Sequence, residues 1–87
     1  MTSLYPIQYY LYFPNEQVAK EVAGILYQYG FVVEDRLGAD GVNWLLLAKT
    51  RAVPTESAIA EMSAFLERIA ERNGGEYDGW EAEVQSI

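Results

Sequence analysis

Cysteine and histidine are both missing from this 87-residue chain. Without cysteine there is neither a disulfide framework nor a thiolate metal site, which leaves the compartment open with a cytoplasmic default. Without histidine, acid–base chemistry near neutrality falls to carboxylates, tyrosines and lysines. Bases are scarce as well: six Lys and Arg stand against thirteen Asp and Glu, a formal net charge of −7. Affinity for nucleic acid or an anionic membrane grows as Lys and Arg replace counterions. The balance found here therefore disfavours both and suits a basic protein partner. No apolar run approaches the roughly 18 residues of a membrane span. The opening MTSLYPIQ lacks the basic head and apolar stretch of a signal peptide. Apolar residues make up 51% of the chain and aromatics 14%, enough for one core, so a single domain over 1–87 is expected.

The order of elements can be read from hydrophobic periods. Ile7, Tyr9, Leu11 and Phe13 alternate with Gln8, Tyr10 and Tyr12, a strand pattern that Pro14 ends. Asn15 is placed to cap a helix whose buried stripe is Val18, Val22, Ile25, Leu26 and Tyr29. Gly30 closes that helix in a left-handed conformation, and Phe31 folds back on Leu26 or Ile25. FVVED then forms a second strand, Asp40-Gly41 a hairpin turn, and VNWLLLAKT a third strand that is apolar on both faces and hence central. Pro54 and Thr55 start a second helix. Its buried stripe is Ile59, Met62, Leu66 and Ile69 with Phe65 beside them; Glu56, Glu61, Glu67, Arg68, Glu71 and Arg72 are solvated. After Asn73-Gly74-Gly75, Trp80, Ala82 and Val84 point to one face of a last strand, and Glu81, Glu83 and Gln85 to the other. The order β-α-β-β-α-β, with both helices on one face, predicts an α+β ferredoxin-like plait with an antiparallel sheet in spatial order 4-1-3-2.

The string GGEYDGWEAEV at 74–84 packs turn residues, aromatics and acids together. A catalytic loop there would rest on Asp78 and Glu81 alone, and nothing in their spacing requires a pair. Glu76, Asp78, Glu81 and Glu83 are oxygen donors, but their order does not match a Ca²⁺ loop, and a strand sends alternate side chains to opposite faces. No catalytic residue, metal or cofactor is expected. A structural role has a clearer mechanism. Gly74 and Gly75 provide the helix exit and a reversal, and Gly79 a conformation closed to other residues. Tyr77 and Trp80 plug the end of the core, and Asp78 accepts backbone N–H groups in the turn.

GGEYDGWE at 74–81 resembles the signature of the regulator of ribonuclease activity B family. The likeness extends to the YYLYFP-like first strand, an A-x-x-x-A helix ending in YGF, the W-L-L-x-A strand at 44–48 and the helix started by Val53-Pro54. It implies the same plait and a small acidic protein that restrains the endonuclease ribonuclease E by binding it, with no chemistry of its own.

The leading expectation is therefore a non-enzymatic, cytoplasmic binding module for a basic protein surface. The alternative is a small-ligand-sensing or other interaction plait, although Pro14-Asn15-Glu16 offers no glycine-rich anion loop. Alternation places Tyr10 and Tyr12 with Glu81 and Glu83 on the open sheet face, as anchors within an acidic rim, the expected docking surface for a partner or for a homodimer. Those acids also argue against RNA reading by the tyrosines, because an RNA reader would want Lys or Arg there.

Overall fold

In the computed structural model, residues 4–82 are described. Strand β1 (Tyr5–Phe13) leads to helix α1 (Glu16–Gln28), then strands β2 (Val32–Leu37) and β3 (Trp44–Ala52). Helix α2 (Glu56–Arg72) and strand β4 (Glu76–Ala82) follow. The sheet runs β2-β3-β1-β4 with every pair antiparallel, the α+β plait expected from the periods, with β3 and β1 inside and β2 and β4 at the edges.

Local chemistry sets the helix ends. Asn15 Oδ1 accepts from Val18 N at 2.9 Å and Thr55 Oγ1 accepts from Ala58 N at 3.2 Å, so both helices have side-chain N-caps. Both also end in the same way. Phe31 N donates to Leu26 O and Gly30 N to Tyr27 O, while Gly75 N donates to Ala70 O and Gly74 N to Glu71 O. Each is the paired closure of a Schellman motif, with glycine at the left-handed position: φ is +94° at Gly30 and +71° at Gly74.

The core lies between the sheet and the helices. Ile7, Tyr9, Leu11 and Phe13 from β1 and Leu46 and Ala48 from β3 meet Ala19, Val22, Leu26, Ile59, Leu66 and Ala70. The stripe expected on α1 is rotated by about one position. Ala19 and Ala23 are buried, whereas Ile25 is 43% and Tyr29 65% exposed. Two alanines four residues apart let the helix axis approach the sheet, and the larger side chains move to its flank. Tyr29 there meets Phe65 of α2 edge-on, with ring centroids 5.1 Å apart.

A polar cluster fastens α1 to the β2–β3 end. The Trp44 indole N–H donates to Asp35 Oδ2 at 2.8 Å, and Lys20 Nζ lies 3.0 Å from the same oxygen. The indole N–H, supported by the Lys20 ammonium, holds the Asp35 carboxyl below its ordinary range against the opposing effect of burial. The Asp40-Gly41 turn proves to be a longer loop. Asp40 Oδ1 accepts from Val42 N and Asn43 N, both at 2.9 Å, and these bonds lower its pKa.

Candidate interaction surfaces

The signature segment begins with two glycines that do different jobs. Gly74 supplies the left-handed residue of the helix exit and has open space around it. Gly75 has no positive φ; it is required by proximity. A Cβ there would come within 3.0 Å of the Phe13 ring and of the Tyr12 carbonyl oxygen. The chain turns into β4 directly against the end of β1.

Gly79 marks a β-bulge. Tyr9 pairs with Trp80 and Leu11 with Tyr77, so two steps along β1 match three along β4, and the register shifts opposite Tyr10. The extra residue is accommodated by Gly79 at φ +107°. As a result Tyr77 and Trp80, three apart in sequence, both face the helices. Tyr77 packs on the core, and its hydroxyl shares a 2.8 Å hydrogen bond with Ser63 Oγ of α2. Burial raises the Tyr77 pKa most, and Glu67 adds to the rise, while the Ser63 bond opposes it.

Trp80 departs from expectation. It faces the helices but is 46% exposed, so it does not plug the core. β4 is an edge strand that only α2 covers, and Trp80 lies at the rim of that cover. Its indole borders a groove of ≈ 400 Å³ with Pro54, Glu56, Ile59, Ala60 and Ser63. Asp78 differs as well: it is exposed beside a hollow at the sheet end, and no backbone N–H among the described residues donates to it.

The open face carries the predicted tyrosines. Tyr12 stands between Glu76 and Leu45, and Gln8 between Glu81 and Lys49. The Tyr10 hydroxyl donates to Glu81 Oε2 at 2.9 Å, and this bond to a carboxylate raises the phenol's pKa. Tyr10, Tyr12 and Glu81 are thus brought onto one face, and Tyr10 is bonded to Glu81; Glu83 lies outside the described residues. The acidic rim covers only half of this face. Arg36 and Lys49 share it, as does Arg51, which pairs with Pro6; together they are half of the chain's six bases. Lys49 forms an ion pair with Glu34, which lowers the Glu34 pKa. A sequence reading confined to β1 and β4 could not weigh β2 and β3, although the charge alternation in Glu34-Asp35-Arg36 and Lys49-Thr50-Arg51 carried that signal.

Most of the chain's net negative charge lies on α2 and β4, including Glu76 and Glu81 of the open face. Residues 56–82, spanning α2 and β4, hold seven Asp and Glu against two Arg, so this part alone is at −5 of the chain's −7. Among the described residues no group of three or more acids is arranged to hold a metal ion. No helix among them is long and apolar enough to cross a membrane. The family model described as regulator of ribonuclease activity B matches residues 1–82. No curated protein matches the chain.

Proposed function

Because the chain belongs to the regulator of ribonuclease activity B family, we propose that it binds and restrains a ribonuclease, such as ribonuclease E or a related RNA-degrading nuclease, by contact alone. It would act in the cytoplasm as a single-domain module without catalytic residues, cofactor or direct nucleic-acid binding. The observation that carries the docking surface is the half-exposed Trp80 over its apolar groove. Tryptophan is among the residues most enriched at interface hot spots, where a large rigid side chain fills a desolvated pocket. Ile59, Ala60 and Pro54 give that pocket its apolar floor, and Glu56 stands on its rim. Glu67, close enough to act on the Tyr77 phenol, adds a second carboxylate on the same side of α2. A basic segment of the nuclease carrying one apolar anchor fits this combination. The acids would steer encounter and the groove would set residence time.

The test is binding and cleavage with purified full-length ribonuclease E. Trp80→Ala is expected to raise the dissociation rate at least tenfold, about 1.4 kcal/mol, and to relieve inhibition of RNA cleavage. Glu56→Lys with Glu67→Lys should slow association and flatten its salt dependence. Unchanged binding by both variants would remove the groove as the docking surface.

A further inference from the structure

The charges of the open face are sorted by strand. Across the sheet, one row reads Glu76, Tyr12, Leu45, Arg36 from β4 to β2, and another reads Glu81, Gln8, Lys49, Val32. The described acids of β4 occupy one edge, and the bases lie on β3 and β2. Glu34, the one described acid on the basic side, is paired with Lys49. Between the two edges lie Tyr10 and Tyr12, with Leu45 and Leu47 beside them already sunk to 8% and 4% exposure within the single chain.

Such a face is complementary to itself, and we propose that it seats a second copy of this chain about a twofold axis parallel to the strands. That axis keeps position along the strands and reverses position across them. Glu76 then meets Arg36 of the second copy, and Arg36 meets its Glu76. Glu81 comes beside Lys49 of the second copy, and Tyr10 and Tyr12 of the two copies meet at the centre. A twofold axis across the strands would instead lay acidic edge on acidic edge, so the charge pattern selects one of the two face-to-face arrangements. Four strands about 4.8 Å apart and about seven residues long give a face of roughly 450 Å². Counted over both copies this is about 900 Å², below the roughly 1,200–2,000 Å² of stable interfaces, so association is expected to be weak, between micromolar and millimolar. The proposal does not rest on the ribonuclease reading, since the Trp80 groove lies on the other side of the sheet and stays free in the dimer.

Sedimentation equilibrium of the full chain up to about 1 mM, the weak limit of a specific contact, tests it. The parent is expected to form dimers. Glu76→Arg and Arg36→Glu should each weaken association at least tenfold, and the two together should restore most of it. Within one copy these residues sit on opposite edges, three strand spacings or about 14 Å apart, so recovery reports an intermolecular pair. Glu61→Arg, on the exposed side of α2, changes the net charge as much as Glu76→Arg and should leave association unchanged. Concentration-dependent chemical shifts in the parent should centre on Tyr10, Tyr12, Leu45 and Leu47, a readout that needs no variant. A monomer throughout, a double variant no better than the singles, or shifts confined to the helix face would each overturn the proposal.

Discussion

Substituting alanine for each of the adjacent glycines 74 and 75 separates two physical reasons for glycine. At Gly74 the backbone is left-handed and the added methyl meets nothing within 4 Å, so the cost is conformational. An L-residue there loses about 1–2 kcal/mol, partly offset by about 0.4–1 kcal/mol because alanine restricts the unfolded chain. The net loss should be about 1 kcal/mol, and Asn, which tolerates this conformation, should lose less. At Gly75 the backbone is ordinary, but the methyl would enter the space of the Phe13 ring and the Tyr12 carbonyl. The ring could turn; the carbonyl belongs to the β1 backbone, paired on both sides in the middle of the sheet. Relief therefore requires β4 to move away from β1, with a loss of about 3 kcal/mol or more. A chain of this size has a total stability of about 4–13 kcal/mol, so Gly75→Ala would remove a large share. Urea denaturation followed by tryptophan fluorescence reads both effects. With a slope near 1 kcal/mol/M, the midpoint should fall by about 1 M for Gly74→Ala and about 3 M for Gly75→Ala. Equal losses, or the larger loss at Gly74, would refute the assignment of Gly75 to close approach.

Trp80→Ala should cost only about 1–2 kcal/mol in a thermal melt, because about half of the indole is already in water. A loss above about 3 kcal/mol would return Trp80 to the core. Gly79→Val should cost about 2 kcal/mol through the positive φ of the bulge, and an unchanged melt would show that the bulge does not need glycine. Asp35→Asn should lose about 1–2 kcal/mol at pH 7 by weakening the bonds to Trp44 and Lys20. The folded Asp35 pKa is depressed, so its contribution is present above the unfolded carboxyl pKa and is lost as pH falls through the folded one. Melting curves of parent and variant should therefore converge in acid; a gap that persists below about pH 2 would assign the loss to packing instead. Tyr77→Phe should cost about 1 kcal/mol by leaving Ser63 without its partner, measured against Ser63→Ala in a double-mutant cycle.

Periodicity and end signals in the sequence were sufficient for the element order and the topology. Alternation in β1, the apolar run in β3, Asn15 and Thr55 as caps, and Gly30 and Gly74 as exits are local features governed by backbone sterics and hydrogen bonding, and each acts within a few residues. The placement of Tyr10, Tyr12 and Glu81 on one face followed from the same alternation. Tertiary structure alone decided the rest. Trp80 lies half in water because β4 is an edge strand covered by one helix, and cover depends on neighbours that a strand pattern does not contain. Tyr77 and Trp80 share a face because pairing with β1 absorbs one residue at Gly79, a register fact between two strands distant in sequence. The mixed charge of the open face, with Arg36, Lys49 and Arg51 opposite Glu76 and Glu81, came from laying four strands side by side. Net charge sums over the whole chain, whereas a binding surface is set by which charges the sheet makes neighbours.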